Sequence, residues 1–271
     1  MAKGRGIQLL VFDWAGTTVD YGSSAPETVF ERVFESAGIH LTRDEINRPM
    51  GMEKKAHIRQ LLSSENGGRQ WEEAYGRPWT EDDVEMLYQK FETILNDVVA
   101  EYSRPIPGVV ETVEKLRRAG YRIGSTTGYT SQIMEKVIPE AEKYGYKADC
   151  VVTPDLTEAG RPTPFMLFEC MRQMNVYPPS EVVKVGDTVV DIQEGKNAGA
   201  WSVGILEGSN LLGLTREEYE AMDPEELRKC KYDAAECYRK AGADIVIDTI
   251  LDLPEAVAEL NRRLIKREVE E

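Results

Sequence analysis

Residues 11–20, VFDWAGTTVD, set an acid where chemistry can be done. The apolar run Leu9, Leu10, Val11 and Phe12 predicts a buried strand that stops at Asp13. A carboxylate at the carboxyl end of a central strand lies where open α/β sheets bind ligands. Gly16 lets the backbone turn closely there, and Thr17 and Thr18 offer hydroxyls and amides. Phosphoryl transfer needs a nucleophile, donors for the phosphoryl oxygens and a cation-binding carboxylate in one place. An isolated D-x-x-G string is equally an ordinary Asx turn, so the matching chemistry has to come from other strand ends.

Three later strand ends carry it. A strand predicted over residues 122–126 runs into Thr127, Gly128 and Tyr129, giving a hydroxyl and free amides. After a strand over 149–153, the run Gly160, Arg161, Pro162 places a cation in a tight loop. A strand over 182–186 ends in GDTVVD, with Asp187 and Asp191 four apart at a helix start. Oxygen ligands from acids suit a hard cation such as magnesium, which bridges to phosphate. Taken singly, Asp187 with Asp191 reads as helix capping and Arg161 as a surface cation. Four matched strand ends in this order are much harder to obtain by chance.

The elements that must position these residues follow from periodicity. After Asp20 the pattern is helical as far as about Tyr102. A helix over 26–37 carries Val29, Phe30, Val33 and Phe34, and Thr42 to Glu45 forms a capping box. A helix over 52–62 is followed by a polar break over 63–69. Thr80 caps a long helix with Val84, Leu87, Tyr88, Phe91, Leu95 and Val98 on one face, and residues 104–108 form a stiff return linker. Strands then alternate with helices, the last strands falling over 200–205 and 244–247 and a final helix over 251–265. The alternation predicts an α/β fold, a doubly wound, Rossmann-like parallel sheet covered on both faces. The core comprises residues 1–20 and 104–271, and 21–103 is an all-helical domain inserted after the first strand. Residues 209–240 are an acidic helical excursion with no chemistry to assign.

Composition narrows the function classes. The chain has 271 residues, a net charge of −15, and hydrophobic and charged fractions of 41% and 30%, ordinary for a soluble globular protein. That charge argues against a nucleic-acid or anionic-membrane surface, so an anionic small-molecule substrate would meet locally concentrated cations or a metal. Cys150, Cys170, Cys230 and Cys237 make no CxxC pair and read as thiols of a reducing compartment. Lys3 and Arg5 precede an apolar run too short for a secretion signal or a membrane span, so the cytoplasm is the expected location.

The four strand-end motifs resemble those of the haloacid dehalogenase-like phosphotransferases over essentially the whole chain. The resemblance implies Asp13 as nucleophile, Thr127 and Arg161 as phosphoryl ligands, magnesium on Asp13, Asp187 and the Ala15 position, and Asp191 supporting the metal from behind its ligands. It also makes residues 21–103 a cap that closes over the site. Ala15 departs from the family pattern, which has a second Asp there to protonate an oxygen leaving group. Losing a general acid costs phosphate-ester cleavage roughly 10²–10⁴-fold.

The cap suggests a leaving group other than oxygen. Lys54 and His57, three apart, share one face of a helix, with Lys55 turned away. A lysine that condenses with a neighbouring aldehyde turns a departing carbanion into a neutral enamine. The combination DWAGTTVDYG, MGxxKxxH, GSTTGYT and VGDTxxD closely resembles the phosphonatases, which hydrolyse the phosphorus–carbon bond of phosphonoacetaldehyde. That resemblance implies Lys54 as the Schiff-base lysine, His57 and Met50 in the proton-transfer region, Gly128 and Tyr129 beside the substrate, and a homodimer formed through the caps. Ser23 stands where the family carries a cysteine. A conventional phosphatase or phosphomutase of the same fold, and a non-catalytic phosphate-binding module, remain the alternatives.

Overall fold

All four residues of β1 (Leu9–Phe12) are buried, so this strand must be covered on both faces and flanked on both edges. The computed structural model, which describes residues 6–270, meets that demand with a six-stranded sheet. Its remaining strands are β2 (Arg122–Thr126), β3 (Cys150–Val152), β4 (Val182–Gly186), β5 (Trp201–Ile205) and β6 (Ile245–Ile247). Every neighbouring pair is parallel, in the order β3-β2-β1-β4-β5-β6. The chain winds outward from β1 through β2 to β3, then returns to β4 on the other side. The strand order therefore reverses at β1, which opens a crevice at its carboxyl end. Register completes the alignment: Phe12 pairs with Ser125 on one side and Val185 on the other. Asp13, Thr126 and Gly186 thus leave the sheet at one level.

Alternate residues of β1 face different layers. Leu9 and Val11 pack with Met166, Leu167 and Cys170 of α8 (Phe165–Met174). Leu10 and Phe12 join the larger cluster with α6 (Val109–Arg118), α7 (Ser131–Lys143) and α12 (Leu253–Glu270). Helix α9 (Val189–Ala198) follows β4, while α10 (Arg216–Ala221) and α11 (Pro224–Ala241) lie between β5 and β6. Among the described residues no helix is long and apolar enough to cross a membrane.

Between β1 and α6 the regular elements are helical, the α-helices being α1 (Ser24–Glu35), α2 (Arg43–Asn47), α3 (Lys54–Ser63), α4 (Glu65–Tyr75) and α5 (Glu81–Val98). The chain enters this segment through Asp20, Gly22 and Ser23, all at positive φ, and the Asp20 carboxylate accepts the Ser24 and Ala25 amides at the start of α1. It returns beside its point of exit, where the Ile106 amide donates to the Thr18 carbonyl at 2.9 Å.

The expected polar break over 63–69 is absent. Ser64 caps α4 by accepting the Gly67 amide, and the helix runs on to Tyr75. Within the segment expected as a polar break, Gly67 and Gly68 serve close packing, since a Cβ on Gly67 would collide with the Leu61 carbonyl. Helix α3 starts at Lys54 rather than Met52, because Glu53 caps it through the Lys55 and Ala56 amides.

Trp71 anchors α4, fully buried with its ring stacked 4.1 Å from Tyr75. Trp71→Ala is expected to destabilise the protein by about 3–5 kcal/mol in chemical denaturation. A loss below about 1 kcal/mol would show that α4 is not packed as described.

Candidate active site

The level strand ends place Asp13 beside the loops after β2 and β4. Asp13 is buried, and its Oδ1 accepts from Arg161 Nη2 at 2.8 Å. The same nitrogen donates to the Thr126 carbonyl at 2.6 Å. No described residue donates a hydrogen bond to Asp13 Oδ2, which leaves that oxygen available. Gly16 is at φ +82°, and a Cβ there would run into the Asp187 carboxylate and lie 2.5 Å from Ser23 Oγ. Only glycine lets this turn sit against both.

Asp13, Asp187 and Asp191 form a buried group whose ligand atoms lie within 4.8 Å of one another. Asp187 accepts Thr17 Oγ1 at 2.6 Å and the Asn210 amide at 2.9 Å. Burial, reinforced by Asp13 and Asp191, pushes the Asp187 acid well above the usual carboxylate range. Asp191 differs. Burial acts to raise it, but Arg161, Lys184 and the Thr188 hydroxyl outweigh burial and hold it below its ordinary value. Its Oδ2 takes the Thr188 amide and hydroxyl, and its Oδ1 stands 2.9 Å from both Arg161 Nη1 and Lys184 Nζ. Asp191 is neutralised by protein cations, whereas Asp13 and Asp187 are two close acids short of positive charge. The donor set fits a hard divalent cation.

The helical segment supplies the other wall. Met50 and Lys54 face Asp13, Ala15 and Ser23 across a small cavity. Thr127, Gly128 and Tyr129 close its third side. The approach is backbone to backbone: a Cβ on Gly128 would stand 3.0 Å from the Met52 carbonyl, and one on Gly51 would stand 2.5 Å from Thr188 Oγ1. A Cβ on Gly160 would likewise stand 3.2 Å from Glu53 Cβ. Glycines on both sides thus let residues 50–53 seat on the loops after β2, β3 and β4.

Lys54 is 4% exposed, with Nζ 5.6, 5.9 and 5.4 Å from the ring centres of Phe30, Phe91 and Tyr129. Aromatic faces favour an ammonium, as does Asp13, yet burial dominates and, with Arg161, brings the Lys54 amine down to about 8. Lys55 points away, pairing with Glu85 at 2.7 Å. His57 is fully buried behind Lys54, its Nε2 2.8 Å from the Ile46 carbonyl and its ring 4.0 Å from Phe30. Burial and the Lys54 charge keep it neutral, and Nδ1 has no hydrogen-bond partner.

Four expected site residues do not line the cavity. Arg161 lies behind Asp13, facing Asp13, Asp191 and Glu194; Asp187 and Asp191 lie beside Asp13 in the buried acidic group; His57 lies behind Lys54. Sequence reasoning missed Lys184, Glu194 and Asn210. A lysine inside the apolar strand VVKVG is the signal for the first. The acidic excursion also has a role: Asn210 donates to Asp187, and Tyr238 Oη donates to the Asp187 carbonyl at 2.6 Å.

An acid ending β1 and two acids after β4, on this sheet order, define a haloacid dehalogenase-like hydrolase, and the family model of that description matches residues 7–199. The chain belongs to the haloacid dehalogenase-like hydrolases and, among them, to the family of the phosphonoacetaldehyde hydrolases. It is 44% identical over 257 residues to the phosphonoacetaldehyde hydrolase of Bacillus cytotoxicus, covering 95% of this chain and 97% of the relative. It is 46% identical over 263 residues to a bifunctional phosphonoacetaldehyde hydrolase/aminoethylphosphonate transaminase of Clostridioides difficile, covering 97% of this chain but 41% of that longer protein. The crystal structure of a phosphonoacetaldehyde hydrolase-like protein from Oleispira antarctica superimposes with a TM-score of 0.94, at 35% identity and 98% coverage of both chains.

An amine with a depressed folded-state pKa costs stability below about pH 8, and the cost fades as pH rises toward its ordinary value of 10.5. Lys54→Met is therefore expected to gain stability at pH 7, by up to about 3 kcal/mol relative to its effect at high pH. Denaturant titrations of both proteins at pH 7 and pH 10 read the difference. An equal effect at both pH values would contradict a buried, titrating amine.

Proposed function

We infer that the protein hydrolyses the phosphorus–carbon bond of phosphonoacetaldehyde to acetaldehyde and phosphate. One observation carries this reading: a buried lysine amine and a strand-end aspartate face one small cavity, with alanine where an oxygen-directed acid would stand. The relatives' names support it.

With its amine near 8, Lys54 is partly neutral at working pH and attacks the aldehyde carbon, losing water to form a protonated imine. Neutral His57, on the same helix face, offers Nδ1 to accept a proton during this condensation. Asp13 Oδ2 attacks phosphorus in line. The phosphorus–carbon bond breaks, and its electron pair passes into the iminium to leave a neutral enamine on Lys54. Protonation at carbon and hydrolysis release acetaldehyde and free the amine, and water cleaves the aspartyl phosphate. Arg161 holds Asp13 Oδ1, which orients Oδ2 toward the cavity. Thr127 and the amides of its loop bind phosphoryl oxygens. Asp13, the Ala15 carbonyl and Asp187 would hold magnesium, which supplies the positive charge that lets a phosphonate approach two carboxylates. Residues 21–103 act as a cap that excludes bulk water by seating Gly51 and Met52 on the core loops.

Phosphate release from phosphonoacetaldehyde with magnesium tests the reaction directly. Chelator and Asp187→Ala are each expected to abolish it while the circular dichroism stays native. Full turnover in chelator would remove the metal assignment, and a sugar phosphate turned over as fast as the phosphonate would favour a conventional phosphatase.

The imine has its own test. Borohydride added with phosphonoacetaldehyde or acetaldehyde is expected to fix a secondary amine on the peptide carrying Lys54. Lys54→Arg keeps the charge but offers no neutral amine, so trapping and activity should both disappear. Lys55→Arg, altered on the face that pairs with Glu85, should retain both. Normal turnover by Lys54→Arg would rule out the covalent route.

A further inference from the structure

Behind Asp13 lies a second layer of charge, of which the reaction above uses only Arg161. Lys184 is the middle residue of β4 and is fully buried. Its Nζ donates to Thr126 Oγ1 at 2.9 Å and stands 2.9 Å from Asp191 Oδ1 and 3.2 Å from Glu194 Oε2. Glu194, fully buried on α9, is also 3.2 Å from Arg161 Nε and accepts from Thr126 Oγ1 at 2.9 Å. Two acids, Asp191 and Glu194, therefore share two cations, Arg161 and Lys184. A buried ammonium is unfavourable unless several partners offset its lost hydration, and this one has three.

The arrangement partitions charge. Lys184 and Arg161 together balance Asp191 and Glu194, so the uncompensated negative charge falls on Asp13 and Asp187. Without Lys184, the Arg161 guanidinium alone would face Asp13, Asp191 and Glu194, and its Nη2 contact with Asp13 would compete with two other acids. The geometry points to Lys184, paired with Glu194, as a positioning residue that occupies Asp191 and keeps Arg161 on Asp13, leaving Asp13 and Asp187 for a divalent cation. This rests on the reading of Asp13 and Asp187 as the metal and phosphoryl site.

The test uses full-length Lys184→Met, Glu194→Gln and their double variant, with calorimetric titration of magnesium and then of inorganic phosphate into the magnesium-loaded protein. Loss of the Lys184 charge makes the site more negative, so magnesium should bind about tenfold tighter and phosphate about tenfold weaker. Glu194→Gln should shift both in the opposite sense, and the double variant should return both toward wild type. At saturating magnesium, kcat/KM should fall in Lys184→Met. A purely structural prop would instead weaken magnesium and phosphate together in each single variant, and that outcome, or no shift at all, overturns the proposal. If Lys184→Met does not fold, Glu194→Gln carries the test alone: weaker magnesium with undiminished phosphate binding supports the partition, and loss of both overturns it. Wild-type protein that binds neither probe would overturn the underlying site reading, whereas normal wild-type binding with unmoved variants removes only the role of Lys184.

Discussion

Four carboxylates are crowded beneath one cavity, and much of the architecture answers their mutual repulsion. Asp13 ends β1, while Asp187, Asp191 and Glu194 follow β4, its parallel neighbour in the sheet. Buried acids so close cannot all remain ionised without compensation. Arg161 and Lys184 enter from different elements to face them, and the Thr17 hydroxyl, the Thr188 amide and the Asn210 amide take up further oxygens. The supply is uneven. Asp191 is faced by Arg161 and Lys184, which hold its pKa down, whereas Asp187 keeps a raised pKa and no described residue donates a hydrogen bond to Asp13 Oδ2. Two acids of one buried group are thereby given different tasks by their surroundings rather than by their chemistry.

The second constraint is closeness between the helical segment and the sheet. Residues 50–53 lie against three core loops at distances that side chains on Gly51, Gly128 or Gly160 would obstruct. Lys54 begins a helix directly after this contact, so its amine is carried into the cavity by the same seating. Its depressed pKa comes first from burial, with Arg161 adding to it and Asp13 opposing it. The amine's depressed pKa is thus a property of the assembled site. In the proposed reaction this couples aldehyde capture on one part of the chain to attack on phosphorus from another.

The excursion between β5 and β6 extends the same logic. Ser209 and Asn210 are buried beside Asp187, and Tyr238 of α11 bonds the backbone at both Asp187 and Ile205. Close packing of its ring on β5 requires Gly204, where a Cβ would meet Tyr238 Cδ2 at 2.6 Å. Elements remote in sequence therefore fix the strand-end loop that presents the acid.

The sequence alone determined the alternation that builds the parallel sheet, the positions of its strands to within a residue or two, and Asp13, Thr127 and Lys54, which line the cavity. These are local signals: apolar runs, caps and charged residues at strand ends reflect short-range backbone and burial preferences. It misread the polar stretch 63–69 as a break, because glycines that interrupt a helix and glycines that admit a neighbour look alike until the neighbour is placed. Arg161 and His57 are site candidates by residue type, but only the fold shows them standing behind Asp13 and Lys54 instead of lining the cavity. Glu194 and Asn210 have no motif of their own, and Lys184 shows only as a lysine in an apolar strand, since their roles arise from partners on β2, β4, α9 and the loops carrying Arg161 and Asp187. Burial, charge balance and the seating of residues 50–53 are long-range quantities, and the tertiary structure alone decided them.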